Sequence, residues 1–218
     1  MNTLQMREEL RRRFPGADFA ALAGPADAAS VADADERVEF FRKRAIDWHN
    51  AHVRAAFAHA RASLPQVTSW ADEFAAGRLG RHHSLMLLGP TGTGKTWQAY
   101  GALRRIAEAG IRNAFWLGGA VPQLLADLRP NGRADFDKHA NAPVLLLDDI
   151  GSERTSPWTE ETALRLFNHR YENALPIIVT GNGSWDDIAG YLGDRMTSRL
   201  AEMCNLVEMR GKDRRWQR

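Results

Sequence analysis

The stretch of this 218-residue chain with the most evident chemistry is Gly89-Pro90-Thr91-Gly92-Thr93-Gly94-Lys95-Thr96. Glycines at 89, 92 and 94 allow a tight turn whose backbone N–H groups face inward, an arrangement that cradles phosphate oxygens. At this spacing Lys95 reaches the outer phosphates of a nucleotide and the Thr96 hydroxyl reaches a magnesium ion. The apolar run SLMLL precedes the loop and a helical pattern follows it. That order places the positive end of a helix at the same anion.

Three further groups could complete such a site. Val144-Leu145-Leu146-Leu147 is a buried strand ending in Asp148 and Asp149. The first acid is placed to hold magnesium through water, and the second to orient an attacking water; a strand end with a capping acid has the same letters. Pro176-Ile177-Ile178-Val179-Thr180 leads through Gly181 to Asn182, a neutral amide at the carboxyl end of a strand, where ligands of open α/β sheets collect. Asparagine is also an ordinary turn residue. Arg195 and Arg199 lie four apart, on one helical face. They suit either a solvated surface or contact with the γ-phosphate of a neighbouring subunit.

The elements needed to position these residues can be read from hydrophobic period and breakers. Strands are expected at 84–88, 113–117, 143–148, 176–180 and 206–209, with helices at 95–109, 121–128 and 157–173, the last capped by Ser156 ahead of Pro157. The alternation specifies a parallel sheet with helices on both faces. Ile188 to Leu200 reads as helical. Upstream, residues 1 to about 33 are rich in Ala, Gly, Asp and Pro and read as a linker. A helix is expected from Asp35 to Leu64, ended by Pro65, with a face of Val38, Phe41, Ala45 and Trp48 that packs on its own domain or docks a partner. A short helix follows at 69–76.

Composition narrows the function classes. A net charge of +2 is too small by itself to require a polyanionic partner, although Arg210 to Arg218 carries five basic residues against Asp213 alone. That tail is a phosphate-contacting patch or a solvated end. No apolar run is long enough for a membrane span, and the amino terminus has no secretory pattern, so no membrane partner and a cytoplasmic location are expected. The single Cys204 rules out a disulfide within the chain and reads as a small core side chain. His49, His52 and His59, and the His82-His83 pair, read as ordinary core or surface histidines.

GPTGTGKT, LLLDDIGSERTSPWTEETALRLFNHRYENALPIIVTGN and GDRMTSRLAEM followed by GKDRR resemble, in sequence and in order, the DnaC/IstB-like group of AAA+ ATPases. The resemblance covers about residues 70 to 218. It implies an α/β P-loop NTPase core of five parallel strands flanked by helices, the first strand lying between the fourth and fifth, without a carboxyl-terminal lid and with a helical amino-terminal region. The corresponding domains are 1–66, helical and partner-binding with a linker, and 67–218, the ATPase. By the same resemblance Gly89 to Thr96 bind ATP, Thr96 and Asp148 hold Mg2+, Asp149 is catalytic, Asn182 is sensor 1, and Arg199 is the arginine finger with Arg195 in reserve. Arg129, Arg133 and Lys138 fall where the family contacts DNA, although they also fit a solvated face.

The expected function is therefore hydrolysis of ATP to ADP and phosphate by a self-assembling protein that binds single-stranded DNA and loads a hexameric replicative helicase. Two alternatives share the core: a transposition helper whose partner is a transposase, and an ATP-binding switch or adaptor that scarcely hydrolyses. A small-molecule kinase is disfavoured, since no lid would shield an acceptor from water.

Overall fold

Continuous apolar runs leave a strand no face for water, so the strands carrying them must lie inside a sheet covered on both sides. The computed structural model describes residues 34–151, 157–211 and 213, without the side chains at 126–127, 129–134 and 157–159. The expected linker over 1–33, the Ser156 cap and most of the basic tail lie outside the described residues.

Five parallel strands form one sheet: β1 (Ser84–Gly89), β2 (Trp116–Ala120), β3 (Val144–Ile150), β4 (Ile177–Asn182) and β5 (Cys204–Glu208), in the order β2-β3-β4-β1-β5. β1 thus lies between β4 and β5, as the resemblance implies. Alternate residues of each strand serve two cores. Leu85, Leu87, Val144, Leu146 and Ile178 face one cluster, and Met86, Leu88, Leu145, Leu147, Ile177 and Val179 face the other. The first is covered by α1 (Ala34–His52), α2 (Pro65–Ala75) and α3 (Lys95–Glu108). The second is covered by α4 (Val121–Ala140), α5 (Pro157–Glu172), α6 (Trp185–Leu192) and α7 (Asp194–Met203).

Several boundaries differ from expectation for identifiable reasons. The helix expected to run to Leu64 stops at His52, and Pro65 starts α2 instead of ending α1. Proline at a first helical position loses no hydrogen bond, so the same residue can serve as a start. Between the two helices, Arg54 turns extended ahead of a 3-10 turn at Ala55–Phe57, and the chain then runs along α3. The buried Gln98 of α3 pins this run: its Oε1 accepts from the amides of Ser63 (2.9 Å) and Leu64 (3.2 Å), and its Nε2 donates to Ser63 Oγ (2.9 Å). Gly101 lets the Arg61–Ala62 backbone lie directly against α3, where any side chain would collide with it.

α4 passes its expected end at Leu128 and continues through Pro130 and Gly132, because Phe136 and Ala140 in its second half pack on the sheet. The 188–200 pattern splits at Gly193, whose backbone (φ 75°, ψ 163°) ends α6 and precedes α7. β2 begins at Trp116, three residues late, because Ala114 and Phe115 are buried without joining the strand. Arg170, fully buried at the end of α5, donates to the carbonyls of His139 (3.1 Å), Ala140 (3.0 Å) and Pro176 (2.5 Å), tying the last turn of α4 to the entry of β4. Burial pulls its guanidinium down to about 9. Cys204 is buried at the start of β5, and burial raises its thiol pKa.

α1 docks through Ala45 and His49, with Trp48 Nε1 donating to the Trp116 carbonyl (2.8 Å) and Arg42 Nε to the Glu108 carbonyl (2.9 Å). Neither ring nitrogen of His49 has a hydrogen-bond partner among the described residues. Burial, with Arg104 adding to it, lowers its pKa to about 4 from 6.5. The fold thus holds the imidazole neutral, so this stabilisation is complete above pH 6.5 and is lost as pH falls from 6.5 toward 4, by about 3 kcal/mol. The melting temperature should therefore drop between pH 7 and pH 5, and His49→Leu should flatten that dependence; equal slopes in both proteins would assign the effect to another group.

Candidate nucleotide-binding site

The loop Gly89–Thr96 joins the end of β1 to the first turn of α3. Gly92 (φ 83°) and Gly94 (φ 94°) adopt left-handed backbone that other residues avoid, and Gly94 immediately precedes α3. Thr93 Oγ1 donates to the Pro90 carbonyl (2.9 Å) and tightens the turn. Lys95 is buried, and its Nζ donates to the carbonyls of Gly89 and Pro90, both at 2.8 Å, which holds the ammonium inside the loop.

Because β3, β4 and β1 are neighbours and parallel, their carboxyl ends deliver side chains to one place. Asp148, at the end of β3, is buried. Its Oδ1 accepts from Thr96 Oγ1 (2.8 Å) and from Thr180 Oγ1 of β4 (2.7 Å). The β3–β4 register shifts between Leu147 and Ile150, and Asp149 there takes a left-handed backbone (φ 66°). A bulge of this kind re-aims a side chain at the end of a strand. The Asp149 amide donates to Thr180 Oγ1 (2.9 Å), and its Oδ1 accepts from Asn182 Nδ2 (2.6 Å). Thr91 Oγ1 of the loop donates to Asn182 Oδ1 (3.3 Å). The site thus brings together Lys95, Thr96, Asp148, Asp149 and Asn182.

A hydroxyl and a carboxylate, joined by a hydrogen bond beside the loop that holds Lys95, are hard oxygen donors of the kind a magnesium–phosphate complex uses, so Thr96 and Asp148 fit that ion. The remaining candidates lie apart from this cluster. The Arg199 guanidinium sits 5.3 Å over the Tyr171 ring of α5, with Nη1 buried and lacking a hydrogen-bond partner among the described residues. Arg195 is exposed at the rim of an apolar groove with Leu124, Leu125, Phe167 and Met196. Lys138 is exposed in the last turn of α4, and the side chains of Arg129 and Arg133 lie outside the described part.

Two contributors are absent from the sequence reading. Thr180 bridges the two acids, and its signal was available as a hydroxyl in the otherwise aliphatic IIV strand. Arg54 Nη2 forms an ion pair with Asp148 Oδ2, and Arg54 Nε donates to the Tyr100 hydroxyl (3.2 Å). No motif marks Arg54, which enters from the turn after α1.

Sheet order, phosphate loop and acid pair define a P-loop nucleotide-binding protein of the AAA+ type. Residues 75–218 match the family of IstB-like ATP binding proteins, and the chain belongs to that family. It is 29% identical over 142 residues to an ATP-binding protein of insertion sequence IS21 from Pseudomonas aeruginosa, covering 62% of this chain and 53% of that one. It is 24% identical over 155 residues to the replicative helicase loader DnaI of Bacillus subtilis (strain 168), covering 62% of this chain and 49% of that one. The chain thus spans about half the length of these curated relatives. Among solved structures, the DnaC helicase loader superposes with a TM-score of 0.60 at 26% identity, covering 72% of this chain and all of that chain.

Replacing Lys95 with alanine removes the ammonium from the loop while leaving the sheet untouched. Lys95→Ala should therefore lose binding of a fluorescent ATP analogue with little change in melting temperature. Binding at normal affinity would move the nucleotide elsewhere.

Proposed function

We propose that this protein is a magnesium-dependent ATPase that binds single-stranded DNA and places a hexameric replicative helicase on it. The observation that carries the ATPase part is the paired network at the strand ends, Thr96–Asp148–Thr180 beside Thr91–Asn182–Asp149. In it Lys95 and the loop amides would hold the β- and γ-phosphates, while Thr96 and Asp148 would hold the metal, which would supply charge neutralisation on the phosphates. Asp149, fixed by Asn182, accepts a proton from the attacking water, and the Asn182 amide orients that water without adding negative charge. Relatedness to DnaC and DnaI supports the helicase-loading role.

A transposition helper acting with a transposase is the second reading, favoured by the IS21 relative and the family match. Both readings assign partner binding to the amino-terminal residues 1–66 and DNA contact to Arg129, Arg133 and Lys138. The arginines on α7 support self-assembly: neither contacts the loop cluster of its own chain among the described residues, so in this reading a finger from α7 would serve the site of a neighbour. Arg199 is our assignment, and it must leave Tyr171 to act; the exposed Arg195 is the reserve.

Steady-state hydrolysis measured over a range of protein concentrations should rise faster than the concentration and increase with single-stranded DNA. A flat, negligible rate with tight ATP binding would instead identify a switch. Arg199→Ala should preserve ATP binding and lower assembly-dependent turnover by about 10³-fold; the same loss in Arg195→Ala alone would reassign the finger.

A further inference from the structure

Asp148 presents two oxygens with different surroundings. Oδ1 is taken by the hydroxyls of Thr96 and Thr180, whereas Oδ2 is paired with Arg54. The Asp148 side chain is 3% exposed and that of Arg54 is 46% exposed, so the guanidinium lies on the open side of a carboxylate that is otherwise enclosed. The same guanidinium lies 5.0 Å over the Phe57 ring and 5.6 Å over the Tyr100 ring, and those two rings stack at 5.1 Å. Arg54 is thus seated in an aromatic bracket built from the 3-10 turn and α3. It belongs to a stretch upstream of the family-matched residues 75–218.

A magnesium ion that is to be held by Asp148 needs that open oxygen, directly or through a bound water, and two cations cannot share it without strong repulsion. Resting on the magnesium–nucleotide reading of the site, we propose that Arg54 is a positioning residue that competes with magnesium for Asp148 Oδ2. It thereby sets the magnesium concentration at which the site holds ATP and links site occupancy to the turn behind α1. When the metal takes the carboxylate, Arg54 has only its aromatic bracket and Tyr100 to hold it. The backbone bond from the Phe57 amide to the Arg54 carbonyl (2.8 Å) ties any displacement of the side chain to the turn itself.

The test is a magnesium titration of the full chain with a trace amount of fluorescent ATP analogue, comparing wild type with Arg54→Met. Loss of one charge-assisted pair should lower the magnesium midpoint about tenfold, with affinity for the analogue in EDTA unchanged within about twofold. Tyr100→Phe, which removes only the hydroxyl partner of Nε, should shift the midpoint in the same direction by less and provides a second route should Arg54→Met fold poorly. In wild type, hydrogen exchange across residues 53–58 should quicken when magnesium and ATP are added together and stay constant with ATP in EDTA. Identical midpoints in wild type and both variants overturn the proposal, as does an Arg54→Met protein that binds the analogue tenfold more weakly in EDTA, since that would make Arg54 a phosphate ligand. A wild-type protein that binds no nucleotide at any magnesium concentration overturns the nucleotide site as well, whereas normal binding with unchanged midpoints overturns only the role of Arg54.

Discussion

The charge on Asp148 sets the terms for this structure. A carboxylate on a side chain that is 3% exposed is costly to enclose unless donors meet it from several directions. Those donors come from three separate stretches of chain: Thr96 at the start of α3, Thr180 in β4 and Arg54 ahead of the 3-10 turn. Only a sheet in which β3 adjoins β4 and β4 adjoins β1 brings the first two within 3 Å of the same oxygen. The apolar runs that make these strands central serve the same end, because they keep the strands from moving to an edge and separating the acid from its donors.

The neighbouring acid shows how a short irregularity makes two functions from one dipeptide. Regular pairing through Leu147↔Val179 would aim Asp148 and Asp149 to opposite faces. The register shift and the left-handed Asp149 break that alternation, and aspartate tolerates this conformation better than most residues. Thr180 satisfies the displaced Asp149 amide while its own hydroxyl hydrogen goes to Asp148, so a single side chain fixes the orientation of both acids. Asn182, two residues on and on the same face of β4, holds the Asp149 carboxylate.

Much of this was legible in the sequence, and the rest was not for physical reasons. The phosphate loop, the acid pair and Asn182 are local patterns whose spacing fixes their geometry, and the strands bearing them are long apolar runs with no competing period. Boundaries governed by tertiary packing were not legible. The helix expected to end at Leu128 runs on past Pro130 and Gly132, because Phe136 and Ala140 gain burial beyond them. Pro65, expected to end a helix, starts one instead, and what decides is the pairing of Gln98 with the backbone of Ser63 and Leu64, a contact 34 or 35 residues apart. Arg54 is the extreme case. It meets Asp148 across 94 residues, and its role follows from a helix that ends twelve residues before its pattern does.

The segment from α1 to the 3-10 turn is therefore more than a cover for the first core. Its helix is anchored to the sheet by Trp48 on the Trp116 carbonyl and to α3 by Arg42 on the Glu108 carbonyl, and its far end delivers a cation to the carboxylate described above. Within the site, each cation already has a partner: Lys95 the carbonyls of Gly89 and Pro90, Arg54 the Asp148 carboxylate. A phosphate–metal complex would enter by exchanging these partners rather than by adding contacts to an idle surface. The net affinity is then a small difference between large terms, and the exchanged groups carry the remainder as rearrangement. Since one of those groups is continuous with α1, such rearrangement has a direct route out of the nucleotide site toward the amino-terminal part of the chain.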